Sequence, residues 1–305
     1  MGFADLKRNR GNKFDALKEK INSQESTNKN NDGDDFWTPT VDKKTNRATA
    51  VIRFLPAPDG EDMPYAKYWD HFFKGPKGYY VEKSLTTLGK DDPLSEYNSE
   101  LWNTGLESNK KIVRDQKRRL NYVTNIFIIE DHGDPSNNGT VRKFKFGVKI
   151  WEKLNGQMNP DFPNKAPVNP FDLWDGANFN LCKAKKGDYW NYDDSTFDTP
   201  APLSNDDKEL KSIWEQTQSL ATYTDPKTFK TYEELSARLN KILGFDASGP
   251  LKSNVSVEVS TTVANTETAE TADVADLVES ASSIDSVEIP DNIDDDLSLF
   301  DEIAK

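Results

Sequence analysis

The sequence predicts a mixed, β-rich domain of the Greek-key barrel kind with interposed helices, set between a flexible basic N-terminal arm and a disordered acidic C-terminal tail. Three observations predict it: several short strand-like runs bounded by turn residues, helix-periodic stretches between them, and sharp segregation of charge along 305 residues. From Leu251 to Lys305, fourteen acidic residues stand against Lys252 and Lys305, so this segment carries −12 of the chain's net −13. It has no aromatic residue before Phe300 and too little apolar surface to offset the entropy of ordering. Residues 1–20 hold six Lys/Arg against three acids, then pass into the polar run SQESTNKNNDGDD. The chain therefore divides into an arm and linker (1–35), a core (36–249) and a tail (250–305).

Within the core, ATAVIRFLP (Ala48 to Pro56) reads as the first strand, with β-branched Val51 and Ile52 and a proline that stops pairing. Further strands are predicted at Gly78 to Lys83, Asn121 to Glu130, Val141 to Phe146 and Asn178 to Lys185. In the Val141 strand, alternation puts Phe144 and Phe146 on one side and Lys143 and Lys145 on the other. Helical periodicity appears at Val148 to Leu154, Asp206 to Tyr223 and Tyr232 to Leu243. The last begins with a capping box, Thr231 with Glu234, and ends at Gly244.

Several function classes lose support. Cys182 is the only cysteine, which excludes an internal disulfide and any multi-cysteine metal site and fits a reducing compartment. No apolar run approaches the ~20 residues needed to span a bilayer, so a soluble intracellular protein is expected. Walker-type, HExxH and GxSxG motifs are missing, so the chain is not read as an enzyme. The cluster Glu130, Asp131, His132, Asp134 lies in DHGDPSNNG, whose composition is that of a turn between two strands.

Binding residues stand out instead. In KRRLNYVTN, Lys117, Arg118 and Arg119 can neutralise phosphates while Tyr122 offers a ring to a base. Lys110 to Lys153 carries a net charge of +6. A second cluster sets seven aromatics between Phe171 and Phe197 among Lys183, Lys185 and Lys186. Tyr189 and Tyr192, in the turn-like GDYWNYDD, are the stacking candidates, Phe171, Trp174, Phe179 and Phe197 are core, and Trp190 fits either role. At the far end, Leu297, Leu299 and Phe300 lie among Asp294, Asp295 and Asp296, a pairing suited to a short motif that folds onto a basic, hydrophobic groove of a partner.

An ordered series of motifs carries a family resemblance: AVIRFLP at Ala50 to Pro56, the Lys117 to Ile126 segment, KFKFGVKIWEKL at Lys143 to Leu154, WDGANF at Trp174 to Phe179, NYDDSTF at Asn191 to Phe197 and FKTYEELSARL at Phe229 to Leu239. Over roughly Thr45 to Gly244 the chain resembles the single-stranded DNA-binding (helix-destabilising) proteins of T-even-type bacteriophages, in a marine-phage-like version. The resemblance implies an OB-fold core whose cleft holds single-stranded DNA during replication, recombination and repair, in the cytoplasm of an infected host cell. It implies that Lys117, Arg118, Arg119 and Tyr122 line the cleft with Lys143, Lys145 and Lys149 nearby, and that Tyr189 and Tyr192 stack on bases. Lys7, Arg8 and Arg10 correspond to an arm for cooperative self-association with neighbouring copies, and the acidic tail to a site for replication and recombination proteins.

Two departures matter. The best-known members of the family it resembles bind structural zinc through one His and three Cys, but here only His71 remains, with Ser84, Asp92 and Ser95 where those cysteines would align. Zinc favours thiolate and imidazole, so no zinc and no other cofactor is expected. Burial of Tyr65, Tyr68, Trp69, Phe72, Phe73, Tyr79 and Tyr80 is expected to replace its contribution. Val123 stands where the family has a tryptophan near the cleft. Two other functions stay open on the residues alone: an acidic adaptor that recruits proteins, and a single-stranded RNA-binding protein.

Overall fold

One thirteen-residue strand, β4 (Arg119–Asp131), organises the sheet because three other strands pair with it. β1 (Arg47–Phe54) pairs along its second half and β2 (Tyr65–Gly75) along its first half. β5 (Val141–Phe146) pairs across the middle, from Tyr122 to Phe127, on the other edge. β3 (Gly78–Lys83) extends the sheet beyond β2, and β6 (Phe179–Lys186), β7 (Tyr189–Asn191) and the short β8 (Thr196–Phe197) extend it beyond β1. Every one of these pairings is antiparallel, and a register shift between Val51 and Ile52 bends β1, so the sheet curls into a half-barrel. The computed structural model describes residues 2–8, 36–187 and 189–245; Arg10 and the tail from residue 250, with Asp294 to Phe300, lie outside the described residues.

The half-barrel is filled from the alternating inward positions of its strands. Ile52 and Phe54 of β1, Ile126 and Ile128 of β4, Phe144 and Phe146 of β5 and Phe179 and Leu181 of β6 form one buried cluster. The Phe54 ring sits within 5.5–6.3 Å of Phe146, Phe171, Phe179 and Phe197. Helix α4 (Val148–Met158) closes this cluster with Ile150, Leu154 and Met158. The short helix α1 (Phe3–Arg8) and α5 (Asp207–Glu215) pack over a second cluster on the outer face of the sheet, around Leu55, Val141 and Trp214. Helices α2 (Pro93–Asn103), α3 (Glu107–Gln116) and α6 (Tyr232–Leu243) gather beside β2 and β3, where Phe73, Tyr80, Leu94, Leu239 and Ile242 pack together. Among the described residues no helix is long and apolar enough to cross a membrane.

The five expected strands and the α6 capping box match the sequence expectation to within a residue or two, whereas β2, β7 and β8 were not expected. The expected helix from Asp206 to Tyr223 instead stops at Glu215. Beyond it the backbone is captured by tertiary partners: Asn125 exchanges two side-chain bonds with Gln218, and the Glu61 carboxylate accepts from the Leu220 and Ala221 amides. The turn reading of residues 131–139 holds, since Asp131 accepts from the Gly133 and Asp134 amides, Asn137 Nδ2 and Trp37 Nε1. Tyr79 is exposed, so it adds no burial near His71, whereas Phe73 and Tyr80 do.

Two buried polar centres fix loops to this frame. Arg53 is fully buried and donates to Asn178 Oδ1, the Asp172 carbonyl and the Ala201 carbonyl. Burial lowers its pKa to about 10, partly offset by Asp172 and Asp198. At Gly176 a Cβ would lie 2.3 Å from the Asp172 carbonyl and 2.6 Å from Arg53 Nη1. Gly176→Ala is therefore expected to dislodge the guanidinium and cost about 2–4 kcal/mol in urea unfolding, and an unchanged midpoint would refute the close approach.

The second centre is Asp92, the N-cap of α2, which accepts from His71 Nε2, Ser84 Oγ and the Leu85 and Ser95 amides. Burial alone would raise its pKa, but the His71 bond and charge, with the two amides, hold it at about 2. A folded value below the ordinary one means that this carboxylate's stabilisation is present above pH ~4 and lost as the pH falls through about 2. Asp92→Asn should flatten the acid limb of melting temperature against pH; a limb as steep as in the unsubstituted chain would contradict this.

Candidate nucleic-acid interface

The segment Lys117 to Arg119 links α3 to β4, so its backbone is pinned at both ends. Lys117 leaves the helix in an extended conformation, with ψ of 148°. Arg118, exposed, lies over the Trp69 ring at 4.4 Å, and Arg119, half-buried, lies over Phe72 at 5.4 Å. Trp69 and Phe72 are three residues apart on β2, so these two rings and their arginines belong to opposite faces of the sheet.

On the Trp69 face, directly paired residues share a side: Lys67 with Tyr122, and Trp69 with Leu120. Lys67, Trp69 and Leu120 are half-buried. They adjoin the end of the half-barrel core, where Met63, Leu120, Trp151 and Tyr192 are partly buried against the main cluster. This rim combines rings that are held in place with cations beside them. Tyr122, expected to offer its ring to a base, is instead core. It is 3% exposed and stacked between Trp151 (4.5 Å, 6°) and Phe146 (5.6 Å, 11°), which leaves neither ring face open. Half-buried Trp151 ends that stack at the rim.

On the other face, Lys143 and Lys145 do lie opposite Phe144 and Phe146, but the cationic surface expected there is covered. Lys143 is buried, with its ammonium 5.6 Å from the Phe36 ring and 5.5 Å from Tyr223. Lys145 pairs with Asp70 at 2.9 Å and sits 5.4 Å from the Tyr68 ring. Lys83 lies among Tyr68, Tyr223 and Phe229 and donates to the Thr222 carbonyl. These cations hold the segment around Tyr223 onto the sheet. Lys149 is exposed on α4, near Glu152.

The β6–β7 hairpin presents Tyr189, 55% exposed, while Tyr192 is half-buried against the core. Trp190 packs under Lys183, 5.3 Å away. Phe171 and Phe179 are buried as expected; Trp174 and Phe197 are partly buried. At the N-terminus, Phe3 packs on Trp174 and Trp214, and Lys7 pairs with Asp207 of α5. Lys7, expected to serve self-association, is here engaged within its own chain.

The positions of the family's zinc ligands converge, but on a carboxylate. His71, Ser84 and the Ser95 amide all bond Asp92, and the Ser95 hydroxyl is buried without a hydrogen-bond partner among the described residues. One imidazole, one carboxylate and two hydroxyls, with the imidazole and one hydroxyl already bound to the carboxylate, do not fit zinc. Among the described residues no group of three or more His, Cys, Asp or Glu could hold a metal ion. Sequence reasoning placed neither Lys67 and Trp69 nor Trp151 at this rim; the motif KFKFGVKIWEKL contained Trp151, and only the β2 register brings out the other two.

Residues 46–243 match the family described as gp32 DNA binding protein like. The chain is 34% identical over 220 residues to the single-stranded DNA-binding protein of Enterobacteria phage T2, and equally to that of Enterobacteria phage T4, covering 70% of this chain and 71% of each relative. The single-stranded DNA-binding protein of Escherichia phage SV14 is 38% identical over 72 residues, 22% of this chain and 63% of that protein. With a match spanning nearly all of the described core, the chain belongs to the gp32-like family of DNA-binding proteins.

Proposed function

We propose that this chain binds single-stranded DNA without a base-edge code, as a binding protein and not an enzyme. Its relation to phage proteins of that name carries the reading. The arrangement of Arg118 over Trp69 beside the rim of Lys67, Leu120 and Trp151 supports it, since cations and rings side by side suit phosphates and stacked bases. Lys117, Arg118, Arg119 and exposed Lys149 supply charge; Trp69, Tyr189 and Tyr192 supply rings. The half-barrel serves as the OB-fold core (36–249), flanked by a self-association arm (1–35) that includes Lys7, Arg8 and Arg10. The tail (250–305) recruits replication, recombination and repair partners through Asp294, Asp295, Asp296, Leu297, Leu299 and Phe300. The site works without zinc, in the cytoplasm of an infected cell.

A salt titration of oligo-dT binding, with oligo-rU and duplex controls, tests this. Lys117→Ala, Arg118→Ala and Arg119→Ala are each expected to reduce the slope of log affinity against log salt by ~0.7 for every phosphate left without its cation. An unchanged slope in the triple variant removes the segment from the interface; tighter oligo-rU binding favours RNA, and no binding beyond a charge-matched control favours an adaptor.

The rings separate by burial. Trp69→Ala and Tyr189→Ala should each weaken oligo-dT binding by about 1–3 kcal/mol with the salt slope intact, because stacking releases no counterions. Tyr122→Ala should instead destabilise the fold by ~3–5 kcal/mol. If folded Tyr122→Ala protein loses affinity as Trp69→Ala does, the core assignment fails.

A further inference from the structure

The basic segment is set by the residue before it. Gln116, the last residue of α3, is buried, and its carbonyl accepts from His71 Nδ1 and from Asn98 Nδ2, both at 3.3 Å. A helix leaves its final carbonyls without partners inside the helix, and these two donors satisfy this one. His71 then passes the connection on, since its Nε2 meets Asp92 Oδ1 at 3.1 Å. Asp92 in turn holds Ser84 Oγ at 3.0 Å and caps α2 through the Ser95 amide. His71, Ser84, Asp92, Asn98 and Gln116 are all 7% exposed or less. One buried hydrogen-bonded path thus runs from the start of α2, across β2, to the end of α3. The next three residues are Lys117, Arg118 and Arg119.

We infer that His71, Asp92 and Asn98 are positioning residues for the basic segment: by clamping the Gln116 carbonyl they fix where α3 ends and hence where Arg118 and Arg119 are presented. The inference rests on the reading of that segment as the phosphate-binding one. It also gives the positions where the family has zinc ligands a use of their own here. With Ser84, Asp92 and Ser95 at those positions, a carboxylate at the centre of hydrogen bonds ties β2 to the start of α2 and the turn at Leu85. A single hydrogen bond shifted at Gln116 moves the start of β4, and with it the contacts of Arg118 on Trp69 and Arg119 on Phe72.

The test is oligo-dT binding by full-length variants, at a salt concentration where the unsubstituted chain binds and a temperature where circular dichroism shows each variant folded. His71→Ala, Asp92→Asn and Asn98→Ala are each expected to weaken binding ~3–10-fold. Ser95→Ala, which removes only a hydroxyl without a partner, should stay within about twofold. The deciding readout is coupling: Asn98→Ala combined with Arg118→Ala should lose less than the product of the single losses, because the clamp acts only through the segment. A chelator should change none of these affinities. Folded variants that bind like the unsubstituted chain, or multiplicative losses, overturn the clamp. Should His71→Ala or Asp92→Asn not fold, Asn98→Ala and its pairing with Arg118→Ala decide alone. Failure of the unsubstituted chain to bind oligo-dT would instead refute the proposed function.

Discussion

The register of β4 is the constraint on which the rest depends. With β2 and β1 on one edge and β5 on the other, none of its central residues can move without breaking pairs on both sides. A slip of one residue would send Tyr122, Ile126 and Ile128 out of the core and Val123 and Asn125 into it. Val123 packs with Ala66, Tyr68 and Tyr223, and Asn125 binds Gln218, so the outer face would come apart at the same time. The register also sets the candidate interface, because the pairing of Leu120 with Trp69 and of Arg119 with Asp70 decides which arginine reaches which side.

Buried polar groups attach the loops to this frame. Arg53 and Asp92 are both almost fully enclosed, and an unpartnered charge in either place would be strongly destabilising. Each is surrounded by complementary groups: three acceptors around the guanidinium, four donors around the carboxylate. The asymmetry of hydrogen-bond energetics makes such centres specific, because a wrong loop arrangement loses little attraction but strands a buried charge. Arg53 anchors the loops carrying Asp172, Asn178 and Ala201, while Asp92 anchors the helical elements beside β2.

What could be read from the sequence follows from which residues face only one environment. β5 alternates lysine and phenylalanine from Lys143 to Phe146, and α6 shows a capping box and a terminal glycine, so both were legible. β2, the second-longest strand, was not, because Tyr65, Tyr68, Phe72 and Phe73 are buried on both faces and erase the period of two. The helix at Pro93–Asn103 carried a start signal in Asp92 and Pro93, but it is polar enough to pass for a loop. Missing β2 had a direct consequence at the site, since Lys67 and Trp69 become neighbours of the basic segment only through its pairing with β4. Tyr122 was misassigned for a related reason. Adjacency to Arg119 in sequence says nothing about the side of the strand on which a ring lies.

Lysine is where composition and structure part most clearly. Lys83, Lys143 and Lys145 are all engaged by rings and carboxylates of the same chain, so the local net charge of a segment overstates the charge it offers to a ligand. What remains open to a ligand is the set that solvent reaches, Arg118 among it. The covered cations instead hold the Tyr223 segment onto the outer face of the sheet that also carries Arg118 and Trp69. A ring and a guanidinium already in contact before the ligand arrives lose little further entropy on binding, which favours affinity that does not depend on base identity. In a chain whose net charge is −13, a cation and a ring held together in this way offer local charge and stacking surface without an excess of positive charge.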